Sequence, residues 1–257
     1  MISKLIETEF IEDNIFIIWF NNSPVNAISI EFLCQLNIVL DKVENDKSIR
    51  CLLIGSKIKH FCAGADLKER ETFTQDQTIE FLNNINSIFN RIENLIIPVI
   101  SLLKGATLGG GAELSLCSDF RIADQTLKIG FPETSLGIIP GAGGTYRLPR
   151  IIGIQSAKKL IYTAKPISSK LALKAELIDI ESNNLLEDAV QFSKSFIINS
   201  PIGIASAKNS INNNFNEELK IGLQIERNAY KNTIGTNDRL EALKAFKEKR
   251  NPTWRNN

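Results

Sequence analysis

The chain repeatedly sets a short, wholly apolar run beside a segment with helical spacing, and this alternation restricts the fold more than any other feature. "NIFIIWF" at 14–20 is rich in β-branched and aromatic residues and is closed by Asn-Asn-Ser-Pro, so it reads as a strand. "SIEFLCQLNIVLDKVEND" then starts at a serine cap and places Phe32, Leu33, Leu36, Val39, Leu40 and Val43 at the spacing of one helix face. The theme returns with the strand "RCLLIGS", a long loop from 56 to about 74, a helix through "DQTIEFLNNINSIFNRIENL" and the strand "PVISLL". Strands that are apolar on both faces are covered on both faces, which predicts an α/β core.

From about residue 150 strands become scarce and helical patterns take over, among them "GIQSAKKLIYTA", "PIGIASAKNSINN", "NEELKIGLQIERNAYKNT" and "TNDRLEALKAFKEKR". The expected division is an α/β core over 1–199 and an α-helical section over 200–257, docked on the core or on a neighbouring subunit. A chain of 257 residues is long enough for such a core.

Thirty basic and twenty-nine acidic residues leave a net charge of +1, which argues against nucleic acid or an anionic membrane as a partner. The N-terminal "MISKLIETEFIEDN" has no apolar signal core, and no run approaches the ~20 residues of a membrane span, so a cytoplasmic location is expected. Cys34, Cys51, Cys62 and Cys117 lie in or beside apolar runs without a C-x-x-C pair. They read as reduced interior residues, and their spacing matches no metal motif. His60 is the single histidine, so any triad chemistry would have to pass through it; acid–base work falls more naturally to carboxylates.

Two glycine-rich segments, "KGATLGGGAE" and "IIPGAGGT", carry the densest functional signal. Neither is a nucleotide loop: the first lacks G-K-[ST], and neither shows G-x-G-x-x-G after a strand. Gly109, Gly110 and Gly111 at a strand-to-helix junction would let a ligand approach free helix N–H groups, an oxyanion site; close packing of helix on sheet is the rival reading. Glu113 follows on the first turn among Leu114, Leu116 and Cys117, where burial would raise its pKa. Glu133 follows "LKIGF" and a proline. A helix out and antiparallel strands back, "DFRIA" and "LKIGF", would bring the two carboxylates together for glycoside hydrolysis or for addition of water to a double bond.

"FCAGADLKE", "GATLGGGAELSLCSDFRIA", "GFPETSLGIIPGAGGTYRLPR" and "DRLEALKAFKEKR", in that order, resemble the enoyl-CoA hydratase/isomerase (crotonase) superfamily over nearly the whole chain. Within it the likeness is greatest to the hydratases that include methylglutaconyl-CoA hydratase, through "FCAGADLKER" and "AFKEKR". The resemblance implies a spiral of ββα units with an α-helical C-terminal trimerisation section, assembled as a homotrimer or homohexamer. It implies an oxyanion hole from the amides of Ala65 and Gly110, with Glu113 activating water and Glu133 delivering a proton to Cα of a trans-2-enoyl-CoA. It implies no permanently bound cofactor, with coenzyme A arriving as part of the thioester substrate. Residues Ala63 to Lys68, including Asp66 and Leu67, would wrap the coenzyme A, with Lys68 supplying charge, and Lys247 would reach a neighbouring subunit's substrate.

The first motif departs from the family pattern. An Arg-Pro usually precedes Asn-Ala, whereas "NNSPVNAIS" has no arginine and leaves the contact to the backbone of Asn26 and Ala27. Some relatives bind AU-rich RNA through a lysine-studded helix; here that helix has one lysine against four acidic residues, which disfavours the RNA-binding alternative. Retention of both glutamates favours hydration over Δ3-Δ2 isomerisation.

Overall fold

The computed structural model of the chain describes residues 4–12 and 14–257. Its first half runs β1 (Ile6–Glu12), β2 (Ile15–Phe20), α1 (Ile30–Asn45), β3 (Cys51–Ser56), α2 (Leu67–Arg70), α3 (Gln75–Glu93), β4 (Val99–Leu103), β5 (Ala106–Leu108), α4 (Gly110–Ser115), β6 (Phe120–Asp124) and β7 (Lys128–Gly130). A 3-10 turn (Pro132–Leu136) leads to α5 (Gly144–Ile152), α6 (Ile154–Thr163), β8 (Ile167–Ser168), α7 (Ser169–Lys174), β9 (Ile180–Ser182) and α8 (Leu185–Ile197). Three helices close the chain: α9 (Pro201–Asn214), α10 (Leu219–Ile234) and α11 (Asn237–Glu248).

Six strands form the main sheet in the order β1-β2-β3-β4-β6-β9, parallel throughout except for the β1–β2 hairpin. The apolar continuity of β2 has a direct cause. Phe16, Ile18 and Phe20 enter the larger core with α1 and α3, while Ile15 and Ile17 enter a second cluster beneath α8. Side chains alternate across a strand, so burial of both faces demands an unbroken apolar run. Helix α1 starts where expected, with the Ser29 hydroxyl accepting from the Phe32 amide, and α3 opens on a reciprocal Thr74–Gln77 capping box.

A second sheet of three strands, β5-β7-β8, sets the site. Here the antiparallel return expected for "DFRIA" and "LKIGF" is corrected: β6 belongs to the main sheet, and β7 pairs parallel with β5 in the register Leu108↔Gly130. Parallel strands send their outgoing segments from the same edge. Helix α4 and the 3-10 turn therefore leave side by side, one carrying Glu113 and the other Glu133.

Other expectations shift as well. The 56–74 loop contains α2, strands persist past 150 as β8 and β9, and Cys34 is exposed while the other three cysteines are buried free thiols. Helix α9 is tied to the core by Lys208, which pairs with Asp119 at 2.7 Å and donates to the Ile97 carbonyl, and Arg50 holds the segment before it by donating to the Ile197 and Asn199 carbonyls. Among the described residues, no helix is long and apolar enough to cross a membrane.

Candidate active site

Each of the three consecutive glycines answers a separate demand. Gly109 has φ of +53°, and a Cβ there would stand 3.1 Å from Glu133 Oε1. A Cβ on Gly111 would collide with the Cys62 carbonyl, which is the close packing that competed with ligand approach in the sequence. Gly110 opens α4 between them, and a Cβ on it would lie 3.8 Å from the Ala65 amide nitrogen.

The loop carrying Ala65 is fixed from both sides. Ile28 donates to the Gly64 carbonyl at 2.8 Å and accepts from the Asp66 amide at 3.0 Å, a parallel bridge that turns the Ala65 amide away from Ile28. The Ala63 amide donates to Val25, and the Leu108 amide to Cys62. Among the described residues, neither the Ala65 nor the Gly110 amide donates to a protein acceptor. Two adjacent amides left without acceptors can receive a substrate oxygen.

Asn26 organises this corner with its side chain as well as its backbone. It is fully buried at φ of +53°; Nδ2 reaches Ser56 Oγ and the His60 and Phe61 carbonyls at 2.8–2.9 Å, and Oδ1 accepts from the Asn22 amide. The Ala27 carbonyl accepts from Asn22 Nδ2, and His60 Nδ1 accepts from the Ala106 amide, the loop role expected of that histidine.

Glu113 is buried, and its Oε1 accepts from two backbone amides, Ala142 and Gly144, each at 2.8 Å. Sequence reasoning saw the glycines of "IIPGAGGT" without seeing this use of them. A Cβ on Gly144 would stand 3.0 Å from Glu113 Oε1, so glycine allows the approach. Burial pushes the Glu113 carboxyl up to about 7; the Gly144 amide opposes this, the Glu133 charge adds to it, and the Ala142 amide and Arg147 oppose it. Glu133 is also buried and raised, chiefly by burial, and its Oε2 has no hydrogen-bond partner.

The remaining predicted positions are less enclosed. Asp66 caps α2, its carboxylate accepting from the Lys68 and Glu69 amides, which gives that side chain a structural task. Leu67 and Lys68 stand exposed beside the Ala65 loop. Lys247 is exposed on α11.

The arrangement can stabilise negative charge on a carbonyl oxygen and move two protons beside it. Comparison with known proteins gives the same direction. The enoyl-CoA hydratase/isomerase family profile matches residues 10–257. The chain is 41% identical to YngF of Bacillus subtilis over 233 residues, 90% of each chain. It is also 41% identical to the mitochondrial methylglutaconyl-CoA hydratase of Mus musculus over 237 residues, covering 90% of this chain and 76% of that one. The crystal structure of an enoyl-CoA hydratase from Bacillus anthracis superposes with a TM-score of 0.95 at 38% identity, over 99% of this chain and all of that one. The chain therefore has the crotonase fold and belongs to the enoyl-CoA hydratase/isomerase family.

Proposed function

We propose that the protein is an enoyl-CoA hydratase, adding water across the double bond of a trans-2-enoyl-CoA to give a 3-hydroxyacyl-CoA. The observation that carries this reading is the convergence of two buried carboxylates with raised pKa values beside two amides without acceptors. A thioester oxygen bound to the Ala65 and Gly110 amides would gain charge as the enolate forms, and each such donor is worth roughly 3 kcal/mol in the transition state. Glu113, its Oε1 held by two donors that favour the anion, takes a proton from water as the oxygen bonds to Cβ. Glu133, buried with an oxygen lacking any donor, holds a proton and delivers it to Cα. Both pKa values are raised, so the division of roles rests on hydrogen bonding: two amide donors at Glu113 Oε1 suit the group that must ionise, and the unpartnered oxygen of Glu133 suits the group that carries the proton.

Coenzyme A would lie along Ala63–Lys68, with Ala27 at the pantetheine and Lys68 near the phosphates. The acyl chain would enter between the 70–95 segment and β7. The apolar side chains exposed on the C-terminal helices, Phe246 at 87% and Leu219 at 78%, support burial between copies in a homotrimer or homohexamer that would bring Lys247 to a neighbour's substrate. The name of the methylglutaconyl-CoA hydratase relative supports including methylglutaconyl-CoA among the substrates tested.

The test is loss of the conjugated-thioester absorbance on mixing with crotonyl-CoA, run beside a 3-enoyl-CoA and a panel of branched and carboxylated 2-enoyl-CoAs. Rapid loss with formation of 3-hydroxyacyl-CoA is expected. Migration of the 3-enoyl double bond without hydration of any panel member would make the enzyme an isomerase.

A further inference from the structure

We propose that Arg147 is a positioning residue for the water-activating carboxylate: with a polar stripe on α3 it braces the Ala142–Gly144 backbone so that two amides stay aimed at Glu113. The inference rests on the reading of Glu113 as the group that activates water.

Both donor peptides are held at their opposite ends. The peptide whose N–H belongs to Ala142 has its carbonyl on Gly141, which accepts from Asn86 Nδ2 at 2.8 Å. The peptide whose N–H belongs to Gly144 has its carbonyl on Gly143, which accepts from the Arg147 amide at 2.8 Å. Between them, the Ala142 carbonyl accepts from Arg147 Nη1 at 3.0 Å. A Cβ on Gly143 would collide with Nη1, so the guanidinium lies directly against the loop. Three successive carbonyls are thus fixed, and the two amides that meet Glu113 cannot turn away singly.

The guanidinium is itself immobilised. Nε and Nη2 donate to Glu93 Oε2 at 3.0 and 2.7 Å, and Nη2 also donates to Asn90 Oδ1. Asn86, Asn90 and Glu93 follow at intervals of four and three on α3, the spacing of one helix face. This stripe borders the buried Phe89 and Ile92, with Asn90 at the surface and Asn86 and Glu93 partly buried, which lets it reach Arg147 from the rim of the core. Arg147 has only 6% of its side chain exposed, and a planar donor fork serving two carbonyl-type acceptors and a carboxylate suits arginine rather than lysine.

The charged and titratable groups around Glu113 set the sign of the effect. Glu133 from the 3-10 turn raises its pKa and Arg147 from α5 lowers it; Arg147 in turn pairs with Glu93 of α3 and acts on Cys117, just past α4, which Arg121 of β6 also influences. Removing the arginine removes both the opposing charge and the brace, and Glu113 ionises at higher pH. Removing the Glu93 charge leaves Arg147 less neutralised, and Glu113 ionises at lower pH. Burial or folding alone gives no reason for opposite signs.

The experiment measures kcat and KM for crotonyl-CoA against pH in Arg147→Gln, Glu93→Gln and Arg147→Lys. The expected result is an acid limb moved up by about one pH unit in Arg147→Gln, with KM changed less than about threefold, and moved down in Glu93→Gln. Arg147→Lys keeps the charge and loses the fork, so its limb moves up as in Arg147→Gln, by less; a limb coincident with wild type would make charge alone the cause and overturn the brace. A uniform loss at every pH, with limbs coincident, would overturn the proposal. Should Arg147→Gln not fold, the directions in Glu93→Gln and Arg147→Lys decide alone. The same shifts are read without turnover by carbon-13 carboxylate NMR, with Glu113 assigned through Glu113→Gln. Shifted titration in a protein without hydratase activity would sink the hydratase reading and leave the brace standing. Hydratase activity with an unmoved Glu113 titration would sink the brace alone.

Discussion

Glu113 and Glu133 bring the same functional group to adjoining positions, yet their surroundings treat charge differently. Glu113 meets two amide donors at 2.8 Å, and its pKa, pushed up by burial, is drawn part of the way back. Glu133 is buried with an oxygen that no donor reaches. Donors stabilise an anion and their absence favours the neutral acid, which is the physical ground for proposing Glu113 as the base and Glu133 as the acid. Each carboxylate also has a glycine that makes room for it: Gly144 beside Glu113 and Gly109 beside Glu133.

The largest effects should come from removing either carboxyl. Glu113→Gln and Glu133→Gln are expected to lower kcat at least ~100-fold each, with folding intact by circular dichroism, as removal of a positioned acid or base does. If the comparison holds, the residual rate of Glu113→Gln loses the acid limb seen in wild type, and that of Glu133→Gln loses the alkaline one. Identical limbs in both variants would break it.

Stability gives a second reading of the Glu113 side. The folded pKa of Glu113, about 7, lies above its ordinary 4.5, so between these values the folded chain holds a proton that the unfolded chain has released. Stability therefore falls as pH rises through that window, and the full cost is present above it. Glu113→Gln is expected to raise stability by about 2 kcal/mol at pH 8, and the gain should vanish towards pH 4, read by denaturant titration at both values. An equal gain at both would remove burial of charge as its cause.

Smaller effects are expected from the paired glycines. Gly109→Ala combines a Cβ 3.1 Å from Glu133 Oε1 with a backbone at φ of +53°, and Gly144→Ala puts a Cβ 3.0 Å from Glu113 Oε1. Each should cost about tenfold in kcat, with Gly109→Ala also losing ~1–3 kcal/mol of stability because only its backbone is strained. Stability losses in the reverse order would contradict this account of the glycines.

Much of this was readable before any coordinates, and the exceptions have a common form. The main-sheet strands announced themselves because burial of both faces leaves an unbroken apolar run, as in β2 and β3. Helices α1 and α3 carried caps and period together. By contrast β5, β7 and β8 are three, three and two residues long, too short for any period, so the parallel pairing of β5 with β7 could not be read and the return to Glu133 was expected to be antiparallel. The α5 start was hidden because glycine occupies both its cap and its first turn. Glu113 and Glu133 stood out through their glycine and proline neighbours. The amides of Ala142 and Gly144 did not, since backbone donors have no residue signature, and Arg147 meets Glu93 across 54 positions of sequence. The carboxylates were thus visible, while the atoms that set their protonation were not.

The most direct test of the central claim is turnover of crotonyl-CoA in oxygen-18 water, with the product identified by mass. One solvent oxygen in each 3-hydroxyacyl-CoA formed by wild type, with at least ~100-fold slower incorporation in Glu113→Gln and in Glu133→Gln, is the predicted result. Incorporation that persists at the wild-type rate in either variant, or thioester that returns unlabelled from the wild-type enzyme, would contradict the account.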